Sequence, residues 1–293
     1  MVPRKPLIIG SKGMLGTALA KRFESENPLL WDINEIDITD RDQVFAKLRE
    51  VRPDVVINAA AYTNVDKAET DRDLAHRVNA DGPKNLIDAC ADIGAILVHI
   101  STDYVFDGSN AEGYLESDRG KDPLNWYGQT KLDGEEALIA SAYPRWYLVR
   151  IAWLFGPNGK NFVETMLKVG KEQGSVTVVD DQTGCPTYTI DLADRISNML
   201  SDDVPFGVYH AVNGGRCTWH GFATKIFELA GLPVTVTPCA SDAFPRPARR
   251  PRYSVLRCTK LPVMRPWEDA LEDYILLCHS RGGGNPSVPS FRT

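Results

Sequence analysis

The sequence predicts a doubly wound α/β protein: a parallel sheet covered by helices on both faces, with a smaller C-terminal lobe. Three observations predict it. Short apolar runs alternate with amphipathic stretches through the first half of the 293 residues, the rhythm of βαβ units. The runs are almost continuously apolar, as strands buried on both faces require. A three-glycine turn joins the first run to the first amphipathic stretch.

Taken in order, Pro6–Gly10 (PLIIG) reads as the first strand, and Met14–Ser25 as a helix with Leu15, Leu19 and Phe23 on one face. Leu29–Asp32 is a short second strand. Asp40 is placed to cap a helix running through Val51, with Val44, Leu48 and Val51 at helical spacing. Asp54–Ala59 and Ala95–Ser101 are buried strands on either side of a helix at Lys84–Ile93, and Tyr127–Ala142 is a helix before the strand Trp146–Trp153. After Phe155 the rhythm weakens. Asn161–Gln173, Ile190–Leu200 and Thr218–Leu229 read as helices, the last with Phe222, Ile226 and Leu229 inward, and Val176–Val179 as extended chain. Residues 1–155 are therefore expected to form the dinucleotide-binding part, with a later return near 185–212. Residues 156–279 form the smaller lobe that binds substrate. The segment 280–293 (SRGGGNPSVPSFRT) has no apolar period and is expected to be disordered.

Composition narrows the function class. Hydrophobic residues make up 43%, charged 25% and aromatic 9%, ordinary values for a globular chain. The net charge of −6 argues against nucleic acid as a partner, because such binding is driven by neutralising phosphates. No apolar run approaches the ~18–20 residues of a membrane span, and Leu7, Ile8 and Ile9 are too few for a signal-peptide core. The six cysteines, Cys90, Cys185, Cys217, Cys239, Cys258 and Cys278, show no CxxC spacing. Reduced thiols in the cytoplasm, with no metal, are the expectation.

The glycine turn is Gly10-Ser-Lys-Gly13-Met-Leu-Gly16, with a strand before it and a helix after it. Glycines there permit a tight turn and close backbone approach, which aims helix N–H groups and the helix dipole at a pyrophosphate. The expected fold is thus Rossmann-like, with NADPH or NADH as cofactor. Asp32 stands about 20 residues on, where a carboxylate hydrogen-bonds the adenosine ribose. It meets a 2′-phosphate with like charge, and Ile33, Asn34 and Glu35 supply no Arg to receive one. That leans toward NADH, with an ordinary strand-end aspartate as the competing reading.

Tyr127 and Lys131 are four residues apart and share a helix face. A cation beside the phenol is expected to lower its pKa and make Tyr127 a proton donor near neutral pH. Thr102 ends the preceding strand, on the side where open parallel sheets bind ligands, and can hydrogen-bond a substrate oxygen. With the glycine turn, these three residues give the short-chain dehydrogenase/reductase reading.

Longer blocks carry a narrower resemblance. Residues 58–69 (NAAAYTNVDKAE), 101–108 (STDYVFDG), 123–131 (PLNWYGQTK), 150–156 (RIAWLFG), 181–187 (DQTGCPT) and 250–256 (RPRYSVL) together resemble the dTDP-4-dehydrorhamnose reductase family, from about residue 6 to 277. The resemblance implies reduction of the C4 ketone of dTDP-4-dehydro-L-rhamnose to dTDP-L-rhamnose. It implies Thr102, Tyr127 and Lys131 as the catalytic set. Gly13, Met14, Leu15, Asp37, Ile38, Ala61, Tyr62 and Thr63 match cofactor contacts, and Thr63, Val65, Tyr104 and Trp153 match substrate contacts. Independently, Arg246, Arg249, Arg250 and Arg252 cluster on an acidic chain, and Arg suits bidentate binding of a diphosphate; a solvated basic loop is the plainer reading. Trp153 can stack on a sugar face or belong to the core. Some members of the family pair through a magnesium site that uses a Glu just after the glycine turn. Here the stretch reads Gly16-Thr-Ala-Leu, so a monomer or weak homodimer is expected. Two other functions share these features: an NAD-dependent sugar-nucleotide epimerase or dehydratase, and a non-catalytic partner similar to the regulatory subunit of methionine adenosyltransferase. Consumption of added cofactor separates the reductase from both.

Overall fold

The structure, a computed structural model, describes residues 5–281. Its centre is a six-stranded parallel sheet built from β1 (Pro6–Ile9), β2 (Leu29–Trp31), β3 (Val55–Asn58), β4 (Ile96–Thr102), β5 (Trp146–Ile151) and a late strand, Gly207–His210. From edge to edge the order is Gly207–His210, β5, β4, β3, β1, β2. The chain therefore reverses direction across the sheet between β1 and β3, and ligands bind beyond the carboxyl ends of strands at such a point.

Alternation along the strands divides the core. Ile8, Ile57, Val98 and Val149 point to one face, where they meet Leu15 and Leu19 of α1 (Met14–Arg22). Leu7, Ile9, Val56 and Leu97 point to the other. There they meet Val44 and Leu48 of α2 (Arg41–Val51), Leu86 and Ile87 of α3 (Gly82–Ile93), and Leu138 of α4 (Trp126–Ile139). The strand interiors are mostly apolar because both sides are covered, with His99 and Ser101 of β4 and Arg150 of β5 as buried polar exceptions.

The second half adds α5 (Phe162–Gln173), α6 (Thr189–Ser201), α7 (Trp219–Leu229) and α8 (Trp267–Arg281). Leu192 and Ile196 of α6 pack on the same sheet face as α1. A separate core gathers Phe155, Val163, Phe222, Ile226, Leu271 and Tyr274 from α5, α7, α8 and the chain leaving β5. Beside it, Ser175–Val179 pairs in parallel with Thr235–Cys239.

Side-chain caps set several boundaries. Asp40, Asn125, Asn161 and Thr218 each accept a backbone N–H at the start of α2, α4, α5 and α7. The first helix is shorter than its pattern predicts. It ends at Arg22, and Glu24–Glu26 tighten into a 3₁₀ turn that closes on Asn27 at φ 50°. The pattern also misses Val65–Ala68, Arg72–His76 and the π-helical turn Arg77–Asp81 that runs into α3. Of the segment 280–293, Ser280 and Arg281 end α8, and the rest lies outside the described residues.

Candidate active site

The turn after β1 is shaped by contacts that side chains cannot make. Gly10 has φ +77°, and a Cβ there would stand 2.7 Å from the Ala60 nitrogen. A Cβ on Gly16 would stand 2.0 Å from the Gly10 carbonyl oxygen. The turn thus lies against both the loop after β3 and its own helix. Gly13 caps α1 with no side-chain bond, and the first turn holds no acidic residue. Its amides are left for an anion.

These glycines open onto a cleft of about 970 Å³ along the carboxyl ends of β1, β3 and β4. Gly10, Gly13, Met14, Leu15, Gly16, Asp32, Asp37, Ile38, Ala61, Thr63, Val65, Thr102, Tyr104, Tyr127, Lys131 and Trp153 all line it. Asp32 follows β2, and its two oxygens accept the N–H groups of Lys12 at 3.0 Å and Ile33 at 2.9 Å. The carboxylate therefore also braces the glycine turn. Lys12 lines the same cleft, a cation that the sequence reading did not weigh. Asp37 accepts the Thr39 N–H at 2.9 Å.

Tyr62 differs from expectation, because its side chain is not among those lining the cleft. The phenol donates to Asp71 at 2.9 Å, and the main chain is clamped by buried Asn79. Asn79 Oδ1 accepts the Tyr62 N–H at 2.8 Å, while Nδ2 donates to the Tyr62 carbonyl at 3.0 Å and to Thr130 Oγ1 on α4 at 3.1 Å. The π-helical turn is what sets Asn79 there; such turns are frequent at functional sites. One amide side chain thus ties the loop after β3 to the helix that carries Tyr127 and Lys131.

Thr102 ends β4, with its hydroxyl donating to Asp103 Oδ1 at 2.9 Å. Tyr127 lies in the first turn of α4, its ring edge-on to Tyr104 with centroids 5.8 Å apart. Lys131, one turn later and buried, donates to the Ile100 carbonyl at 2.7 Å. Burial pulls the ammonium down to about 8, against the opposing charge of Glu135. The expected lowering of the phenol pKa is not found. Burial pushes Tyr127 up to about 12, with only a Thr102 hydrogen bond working against it. Burial likewise lifts Asp103 to about 7, opposed by Ser254 and Thr102.

Beneath this surface lies a buried ion pair. Arg150 of β5 donates from Nη2 to Glu135 Oε2 at 2.7 Å and from Nε to Oε1 at 3.0 Å. Ser101 Oγ donates to Glu135 Oε1 at 2.5 Å. The Glu135 carboxylate is thereby satisfied without Lys131.

The far wall is aromatic. Trp153 has φ 45°, rare for a bulky residue. Its ring stacks on Trp219 of α7, with centroids 3.5 Å apart and planes 6° from parallel. A Cβ on Gly184 would come within 2.3 Å of the Trp153 ring. A sugar stacking on Trp153 therefore has to compete with Trp219, which the sequence reading missed.

A second cleft of about 780 Å³ shares Val65, Tyr104 and Trp219 with the first. Arg246, Arg249, Arg250, Phe244 and Gln182 line it; Arg252 does not. Arg250 is less free than a diphosphate ligand was expected to be. Its fork sits on Asp66, with Nη1 to Oδ1 at 2.8 Å and Nη2 to Oδ2 at 3.0 Å. Burial pushes the Asp66 carboxyl up, but hydrogen bonds from Arg250 and the Ala248 N–H, with the charges of Arg250 and Arg246, outweigh it and hold it below the usual range.

The sequence profile described as the RmlD substrate binding domain matches residues 4–278. The chain belongs to the RmlD family. A Streptomyces griseus protein named dTDP-4-dehydrorhamnose reductase is 42% identical over 289 residues, covering 94% of this chain and 95% of its own. Among solved RmlD-type structures, a dTDP-4-dehydrorhamnose reductase from Clostridium acetobutylicum has 44% identity and a TM-score of 0.90, covering 94% of this chain and 99% of that one. Another from Bacillus anthracis, in complex with NADP, has 39% identity and a TM-score of 0.89, covering 93% and 99%.

Proposed function

We propose that this RmlD-family protein is an oxidoreductase that reduces the C4 ketone of dTDP-4-dehydro-L-rhamnose, yielding dTDP-L-rhamnose. The observation that carries the reading is the convergence of Thr102, Tyr127 and Lys131 on one cleft with the glycine turn. The cradle fits a dinucleotide: close-packed glycines, an uncapped helix start and a cleft of about 970 Å³. A bound reduced nicotinamide supplies the hydride. Gly13, Met14 and Leu15 would hold its pyrophosphate and Lys131 its nicotinamide ribose. Thr102 orients the substrate carbonyl, and Tyr127 gives its proton to the oxygen as charge develops there. A phenol pushed up to about 12 keeps its proton until an alkoxide, a far stronger base, takes it.

The nucleotide end of the substrate belongs in the second cleft, beside Arg246 and Arg249. In this reading residues 1–155, with the return near 185–212, serve the cofactor, and 156–279 serve the substrate. Asp32 opposes a 2′-phosphate while Lys12 attracts one, so both cofactors are used and NADH is favoured. We place the protein in the cytoplasm, as a monomer or weak homodimer. No helix among the described residues is long and apolar enough to cross a membrane.

The test is oxidation of NADH or NADPH by enzymatically generated dTDP-4-dehydro-L-rhamnose. A positioned proton donor contributes about 10²–10⁴-fold, so Tyr127→Phe is expected to lower kcat/KM by that factor and leave cofactor affinity nearly intact. Folded wild-type protein that oxidises neither cofactor overturns the reading.

A further inference from the structure

Lys131 has an unusual neighbour for a cation. Its Nζ lies 3.5 Å from Nε2 of His99, a fully buried residue in the middle of β4. The other ring nitrogen, Nδ1, lies 3.1 Å from the amide nitrogen of Asn58, which ends β3 and is also fully buried. Asn58 Oδ1 accepts the Ala60 N–H at 3.2 Å. That last bond decides the orientation of the rest. With Oδ1 facing Ala60, the Asn58 Nδ2, which only donates, faces His99. Nδ1 of His99 is then the acceptor, and a neutral ring carries its hydrogen on Nε2. A doubly protonated ring would set two donors against each other at Asn58. Burial alone already works to hold the His99 pKa far below its ordinary value.

Nε2–H thus points at Nζ. A free amine accepts that hydrogen while still donating to Ile100, whereas an ammonium meets it donor to donor. The other groups around Lys131 do not reverse this preference. Glu135, on the same helix, is the one whose charge favours the ammonium, and burial outweighs it; Tyr127 and Asp103 line the same cleft as Lys131. Glu135 is already engaged by Arg150 and Ser101. Asn79, reaching α4 from the π-helical turn, is uncharged.

We propose that His99 is a positioning residue for Lys131: oriented by Asn58, it presents Nε2–H to Nζ and biases the lysine toward the free amine. The role assigned to Lys131 rests on the proposed reductase function, but the hydrogen-bond polarity does not. A consequence reaches the cofactor cleft. For an ammonium to donate to His99, the ring must move its hydrogen to Nδ1 and the Asn58 amide must turn. Ala60 N–H, in the loop that lines the cleft, then loses its acceptor. Protonation of Lys131 and the conformation of that loop are linked.

The chain has five histidines, so side-chain ¹⁵N spectra of the whole enzyme can be assigned by single substitutions. His99 is expected as the Nε2–H tautomer at pH values where Lys131 is an amine. Asn58→Asp sets a carboxylate opposite Nδ1 and draws the hydrogen there. The expected result is a His99 tautomer switch and a rise of the Lys131 Nζ titration by about one pH unit, tenfold in proton affinity. In a His99→Phe background the same change is expected to move it by less than about a third of that. An Nδ1–H tautomer in the wild type, or an Asn58→Asp shift that survives in His99→Phe, overturns the proposal. If the Asn58 variant does not fold, the wild-type tautomer decides alone. These readouts need no substrate. A failed reductase assay with the expected tautomer therefore counts against the proposed function and not against His99.

Discussion

Lys131 is a residue whose burial opposes stability. An ordinary lysine titrates near 10.4, and here burial brings it down to about 8. The folded state therefore binds this proton more weakly than the unfolded chain does. Between those values the unfolded state holds more protons, so wild-type stability rises with pH across that window. Below about pH 8 the full penalty is present, on the order of 3 kcal/mol at ~1.4 kcal/mol per unit. Lys131→Met is accordingly expected to abolish reduction yet raise the midpoint of urea unfolding at pH 7, with the gain fading by pH 10. Asp32 offers a second residue-level test. Asp32→Asn keeps an acceptor for the Lys12 amide and removes the charge, so cofactor preference should move toward NADPH by about tenfold, a repulsion of ~1.4 kcal/mol. The ratio of kcat/KM for the two cofactors reads it. The sequence made Thr102, Tyr127 and Lys131 legible because helical spacing and a strand end place them. It did not make His99, Asn58 or Trp219 legible, because each acts through a contact between distant segments that leaves no spacing behind. The phenol pKa was misjudged for a related reason. Spacing shows that a cation is near, but only three dimensions show how much water is gone.

At the scale of elements, most of the sheet was readable, since an apolar run flanked by turn residues has few other fates in a βαβ pattern. Helix starts were readable wherever a capping side chain stands, as at Asp40. Helix α4 shows what a cap does for the site. Asn125 Oδ1 accepts the Gly128 N–H at 2.8 Å, and Nδ2 donates to the Arg249 carbonyl at 2.7 Å. The residue that starts the Tyr127 helix also fastens the arginine loop of the second cleft. Asn125→Ala is expected to lower stability by about 1–2 kcal/mol, the usual value of a lost cap. It should also raise KM for the sugar nucleotide more than KM for the cofactor, as steady-state kinetics would show. The π-helical turn Arg77–Asp81 escaped the sequence reading because one extra residue per turn changes the period over too short a stretch to detect. Yet that extra residue is what brings Asn79 under the loop after β3.

Across the whole molecule, Asp66 and Arg250 connect segments 184 residues apart in sequence. Asp66 belongs to the short helix just after the loop that follows β3, and Arg250 to the loop lining the second cleft. The pair ties that loop to the short helix after β3, beside Val65 and Tyr104, which line both clefts. Both side chains are mostly shielded, with 17% and 28% exposure for Arg250 and Asp66, and charge-assisted bonds of this kind contribute about 1.5–3 kcal/mol. Because the Asp66 carboxyl is held below its ordinary range, its contribution is present above the unfolded value near 3.9. It is lost as pH falls through the lower folded value. Asp66→Asn should therefore destabilise the protein at pH 7 and remove part of its acid sensitivity, so that the difference from wild type closes as pH falls from the unfolded value near 3.9 through the lower folded one. If the pair also sets the loop over the substrate, the same variant raises KM for the sugar nucleotide by about three- to tenfold, equivalent to ~0.7–1.4 kcal/mol, while kcat changes less. A stability loss with unchanged KM would make the pair a brace alone and leave Arg246 and Arg249 as the groups that meet the diphosphate.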